Sequence, residues 1–224
     1  MENQKQATSI ALKAAWIFFG VAFLASCSSS GEHDLDSVAY EYAGGEVKAY
    51  QEGDSCFFSI QGEINERLEN LALGGLNTLA YKQCAYRVVL LQSSGGNINV
   101  AMKIGESIRK HQLITHIHGE CDSACGLIFI GGVRRTISLG TAFERESSLG
   151  FHQLKPALGL RRCLSESQIN PILLSEMRGY IRKMLSKEAA DTYYREMINA
   201  PCAGMDYLNP QYMLEKGIAT SVEW

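Results

Sequence analysis

The chain has 224 residues, is 46% hydrophobic and carries a formal net charge of -3, which is enough apolar material for one ordinary globular domain with a sizeable core. Its 21 lysines and arginines fall singly or in pairs such as Arg134-Arg135 and Arg161-Arg162. No basic stripe can track a phosphate backbone, so a nucleic-acid partner is not implied.

The N-terminus reads as an address. Lys5 and Lys13 flank the start of an apolar run, Ala14 to Leu24, which is too short to span a bilayer and suits the core of a signal peptide. It ends in Leu24-Ala25-Ser26-Cys27. This resembles the bacterial lipobox, in which the peptide is cut before the cysteine and that cysteine is lipid-modified. The resemblance implies a signal peptide over residues 1–26 and lipid on Cys27, facing the periplasm. A signal peptide cleaved after Ser26 or an N-terminal membrane anchor are the alternatives. Ser28 stands where many lipoproteins retained in the inner membrane have aspartate, which favours the outer membrane. Residues 27–49, polar at their start, are expected to form a flexible tether, with the folded domain over 50–224.

Beyond Cys27 lie Cys56, Cys84, Cys121, Cys125, Cys163 and Cys202. An even set in an oxidising compartment reads as two or three disulfides, and sequence cannot choose among the 15 pairings. A zinc site is the other reading, but there is no CxxC pair.

Along the chain, Ser55 to Ile60 reads as a strand, and a helical run with Ile64, Leu68 and Leu71 on one side is expected to end at Gly74-Gly75. Arg87 to Gln92 (RVVLLQ) has the unbroken apolar character of a strand buried on both faces. The turn Ser93 to Gly96 follows, then a helix over Asn97 to Lys110 with apolar residues at helical spacing. A strand, Leu113 to His118, is expected to stop at Gly119, and an apolar segment, Gly126 to Ile130, lies just beyond. This strand, turn, helix, strand, turn, helix order requires crossover connections and argues for an α/β fold. Short β-prone pieces follow at Arg135 to Ser138 and Ser148 to His152, with a loop marked by Pro156 and Gly159. Ser165 and Gln168 have capping-box spacing and predict a helix start. Ser186 to Asn199 reads as another helix. Asn209-Pro210 begins a last one, Gly217 ends it, and Ile218 to Val222 reads as a final strand.

The chemistry-bearing residues sit at the turns. Ser123, between strand and helix, has the placement of an exposed nucleophile. Gly95-Gly96 lets backbone approach a substrate, and a lone histidine, His152, follows in Gly150-Phe151-His152-Gln153. Each is also ordinary taken singly: Ser123 as a helix cap, Gly95-Gly96 as a turn. Cys121 and Cys125 bracket Ser123, and either thiol is an alternative nucleophile. His116 and His118 share one side of their strand, as a metal-binding pair or as a satisfied strand face. His111 ends a helix, where a cation suits the dipole.

From about Cys56 to Val222 these motifs, in this order, resemble the proteolytic subunit of the Clp protease, and periplasmic Clp-protease-like proteins more closely. The resemblance implies the crotonase-like fold of repeated ββα units in a single domain. It implies Ser123 as nucleophile, His152 as base, and the backbone N–H groups of Gly96 and Ala124, with Gly95 in the same turn, as the oxyanion and substrate-binding site. Ser94 replaces the proline of the Clp turn. The third triad residue is Asp206, close to the family's position before the last helix, with Asp191 as runner-up and a backbone carbonyl as a further way to orient the imidazole. No cofactor and no metal is implied. The expected activity is that of an envelope-anchored serine hydrolase, an ATP-independent peptidase acting on peptides or unstructured proteins. The alternative is a catalytically silent docking or scaffold lipoprotein. An acyl-coenzyme A enzyme fits poorly, because that cofactor is cytoplasmic. Relatives of this fold form rings or trimers, which implies a homo-oligomer.

Overall fold

The computed structural model describes residues 37–139, 147–154 and 163–223. The signal peptide, Cys27 and the Pro156 to Gly159 loop lie outside them. The described chain is mixed α/β, built on a nine-stranded, mostly parallel sheet. Its strands are β1 (Val38–Tyr42), β2 (Gly45–Glu52), β3 (Ser55–Gly62), β4 (Tyr86–Ser93), β5 (Ile114–Asp122), β6 (Arg134–Ser138), β7 (Ser148–Phe151), β8 (Asp206–Leu208) and β9 (Ser221–Glu223). The helices are α1 (Glu66–Ala80), α2 (Ile98–Lys110), α3 (Cys125–Ile130), α4 (Pro171–Met184), α5 (Lys187–Asn199) and α6 (Pro210–Glu215). The main path runs β1-β2-β3-β4-β5-β6-β9, while β7 pairs with β5 and β8. From β3 to β9 along this path the pairings are parallel, and β1 and β2 add an antiparallel hairpin at one edge.

Four departures from sequence expectation have physical causes. The 27–49 segment expected to be a tether is, from Val38 on, the hairpin β1 and β2, because β2 gains a full antiparallel ladder to β3. Helix α1 runs through Gly74-Gly75. A Cβ at Gly75 would lie 2.2 Å from a Phe58 ring carbon, so the glycine serves close packing against β3 and not termination. The Ser165 and Gln168 capping box is present, but it closes a single 3-10 turn, Glu166–Gln168. Helix α4 starts with Pro171 as its first residue and Asn170 as its cap, consistent with the bias of a residue before proline away from helix.

The fourth departure shapes the end of the sheet that carries Ser123. Strand β5 does not stop at Gly119 but continues to Asp122, with Gly119 at φ +94°. Leu91 pairs with Ile117 but Ser93 pairs with Cys121, so β5 carries extra residues relative to β4, as at a bulge. On one side of that bend Ile114 to Ile117 pairs with β6; on the other, Glu120 to Asp122 pairs with β7. One strand thus serves two neighbours. The core is one cluster, in which every residue of α3 is buried together with Leu68, Ile104, Ile117 and Tyr193.

Candidate active site

The turn after β5 presents Ser123. Its φ is +53°, a left-handed conformation uncommon for a side chain other than glycine, and it is half-buried. The Ser123 N–H donates to the Gly150 carbonyl at 2.7 Å, which ties the turn to β7 two residues before His152. On the other side lies Gly95, φ +94°. A Cβ there would come within 2.7 Å of the Asp122 carbonyl oxygen and 2.8 Å of Ser123 Cβ, so only glycine lets the β4 turn and the serine turn touch. The β4 turn is itself pinned: Ser93 Oγ donates to the Gly62 carbonyl and accepts from the Gly95 N–H at 3.0 Å, and the Ile64 N–H donates to the Gly95 carbonyl at 2.8 Å.

The N–H groups of Gly96 and Ala124 make no hydrogen bond among the described residues. Gly96 is exposed and follows directly on Gly95, which packs against the serine turn; Ala124 is the residue after Ser123. Two unoccupied donors flanking a hydroxyl are what a developing oxyanion needs. A cleft of about 810 Å³ borders Gly96 and is walled by Ile64, Ile98, Leu154, Ile169 and Leu173.

His152 follows β7 and is half-buried. Its Nδ1 lies 2.6 Å from the Gln153 carbonyl oxygen. A carbonyl only accepts, so Nδ1 carries the hydrogen and Nε2 keeps the lone pair of a base. Among the described residues no hydrogen bond joins Ser123 to His152. Strand pairing brings them to the same end of the sheet, short of bonding contact.

The structure separates the candidate acids. Asp206 opens β8, is exposed, and pairs in register with Phe151. Asp191 is exposed on α5, 3.9 Å from Arg182 in an ion pair. A third carboxylate, unmarked in the sequence reading, lies closer to the serine: Asp122, only 6% exposed, with Oδ1 unpartnered among the described residues. Burial holds its carboxyl above the usual range, Glu120 adds to this, and His152 opposes it. Its only sequence signal was its position beside Ser123.

The six domain cysteines lie as Cys56–Cys84, Cys121–Cys125 and Cys163–Cys202, with Cα separations of 5.8, 5.2 and 5.5 Å, all ordinary for disulfides. The middle pair closes over the serine turn and removes both neighbouring thiols as nucleophiles. His116 is engaged on both ring nitrogens, by Thr136 Oγ1 at 2.7 Å and Ser138 Oγ at 3.1 Å. Among the described residues no three His, Cys, Asp or Glu side chains are placed to hold a metal ion. No described helix is long and apolar enough to cross a membrane. Compared with known proteins, the chain matches no family model and no curated protein.

Proposed function

We propose that the chain is a Clp-protease-like serine hydrolase anchored in the bacterial envelope by lipid on Cys27, at the outer membrane in preference to the inner, acting as an ATP-independent peptidase. The observation that carries this reading is the junction of two turns: a left-handed Ser123 resting on Gly95 and flanked by the N–H groups of Gly96 and Ala124, which have no partner among the described residues. The topology supports a crotonase-like arrangement. Strand β5, bent at Gly119, precedes α3; β6 with β7 precedes α4; and Ile64 pairs with Gly96 in an isolated bridge between the β3 and β4 exits. Both β5 and the β6-to-β7 stretch carry the chain from the main sheet into the β5-β7-β8 ribbon before a helix, as a ββα unit does.

In this mechanism Ser123 Oγ attacks a peptide carbonyl carbon as His152 Nε2 takes its proton. Gly96 and Ala124 N–H groups hold the oxyanion of the tetrahedral adduct. Collapse breaks the C–N bond, the imidazolium returns its proton to the departing amine, and water then hydrolyses the acyl-serine by the same proton route. With no ATP in the periplasm to drive unfolding, peptides and unstructured proteins are the substrates.

The second reading, a catalytically silent scaffold of the same fold, is favoured by one observation: Ser123 and His152 share no hydrogen bond. One experiment separates them. Cells fed a palmitate analogue and then treated with a fluorophosphonate probe should carry lipid on Cys27 and probe on Ser123. Cys27→Ala should lose the lipid label, and His152→Ala should cut probe labelling at least 100-fold without unfolding the domain. Folded wild-type protein that takes up no probe would favour the scaffold.

A further inference from the structure

We infer that Asp122 is the acid that supports His152, as a positioning residue buried directly beside the nucleophile. The inference rests on the serine-hydrolase reading above. Pairing registers carry it. Asp122 pairs with Gly150, and Gly150 pairs with Tyr207, so these three share one face of the β5-β7-β8 ribbon. The Asp122 carboxylate lies over Gly150: a Cβ built on that glycine would meet Oδ1 at 2.3 Å. His152 follows two residues after Gly150, just past the end of β7, and its charge is near enough to act on the Asp122 carboxyl. Asp206 instead pairs with Phe151, whose alternation puts it on the other face.

The surroundings give Asp122 a reason to face an imidazolium. It is nine-tenths buried and Oδ1 has no hydrogen-bond partner among the described residues, an arrangement that is costly for a neutral acceptor and more so for a charge. A cation forming nearby offsets that cost. Among the described residues, the titratable groups facing Asp122 are Glu120 on its own strand, Tyr207 on β8 and His152; of these only His152 can be cationic, and its charge favours the ionised carboxylate. The roles divide: the Gln153 carbonyl sets the tautomer of His152, and Asp122 supplies the negative field in which the ring accepts the proton of Ser123. Gly150 is the position that leaves room for the carboxylate.

The test uses full-length protein in detergent, with the rate of fluorophosphonate labelling at Ser123 measured from pH 5 to 9. Asp122→Asn, nearly isosteric, should lower the maximal labelling rate about 10- to 100-fold with little change in the probe concentration at half-maximal rate. Asp122→Glu should recover part of the rate, and Asp206→Asn should lower it less than Asp122→Asn does. Circular dichroism and melting check that each variant is folded. Should Asp122→Asn misfold, Gly150→Ala, whose methyl meets the Asp122 carboxylate first and then Met205 and Tyr207, should reproduce the rate loss. Wild-type labelling that Asp122→Asn leaves intact, or that Asp206→Asn abolishes, overturns this assignment alone. No labelling of folded wild type overturns the hydrolase reading and this assignment with it.

Discussion

The two ends of α3 are handled in opposite ways. At its C-terminal end the backbone carbonyls are all engaged: Leu127 by the Tyr180 hydroxyl, Ile128 by the Gly131 N–H, Phe129 by Thr115 Oγ1, and Ile130 onward by arginine. Arg109 donates to the carbonyls of Ile130, Gly131 and Gly132 and across to Met184, at 2.8 to 3.0 Å. Buried Arg135 adds a bond to Gly132 at 3.0 Å and reaches Gly217 and Ile218. Burial and the neighbouring Arg109 push Arg135 down to about 10, still well protonated at neutral pH. Positive charge is favourable at a helix C-terminus, and the planar guanidinium suits several carbonyls at once. At the N-terminal end, a few residues away, Ser123 is in a strained conformation, and among the described residues the Ala124 N–H and Asp122 Oδ1 have no hydrogen-bond partner. In one short buried helix, one end is fully satisfied and the other holds three unsatisfied features. Strain kept where the surroundings could relieve it points to use, and the contrast is the physical argument for function at Ser123.

The largest expected effect breaks the satisfied end. Arg109→Met removes the shared donor from four carbonyls and should cost about 3 kcal/mol or more, a fall of roughly 6–12 °C in melting temperature, and Arg109→Lys should recover little of it. A loss below about 1 kcal/mol would mean that solvent replaces the guanidinium readily and the contrast is overstated. Next is relief at the strained end. Ser123→Gly should raise stability by about 1 kcal/mol, since glycine adopts φ +53° freely, while abolishing probe labelling. Ser123→Ala should abolish labelling without that gain.

The smallest effect concerns Asp122. Its carboxyl is held above the ordinary carboxylate range in the folded state, so its ionisation opposes folding. That penalty is absent below the ordinary range and grows as pH rises through the folded-state value. Asp122→Asn should therefore melt higher than wild type at pH 7, and the gap should close towards about pH 4. A gap that widens on acidification would show that the carboxylate is paired and stabilising.

Local signals were legible. The buried run of β4, the period of α2, the helix from Ser186 to Asn199, and Asn209-Pro210 with Gly217 around α6 all depend on residues within a turn or two of each other. The glycines misled where their role is tertiary. Gly75 sits inside α1 because Phe58 presses on it, and Gly119 sits inside β5 because two different strands must be reached. Neither neighbour is visible from the local sequence. The same holds for β1 and β2, whose register depends on β3.

For the candidate site, the sequence alone determined the residue types at the turns, Ser93 to Gly96, Ser123 and His152, because turns and strand ends carry their own chemistry in glycine, serine and spacing. It also determined that the domain cysteines are even in number. Only the tertiary structure decided which cysteines pair, that Gly95 packs against Ser123, that a backbone carbonyl sets the histidine tautomer, and that Asp122 shares the face of Gly150 while Asp206 lies opposite Phe151. These are register and packing facts. A strand's side chains change face with each residue, so a carboxylate's partner depends on how distant strands align, and that alignment is set by burial of the whole core.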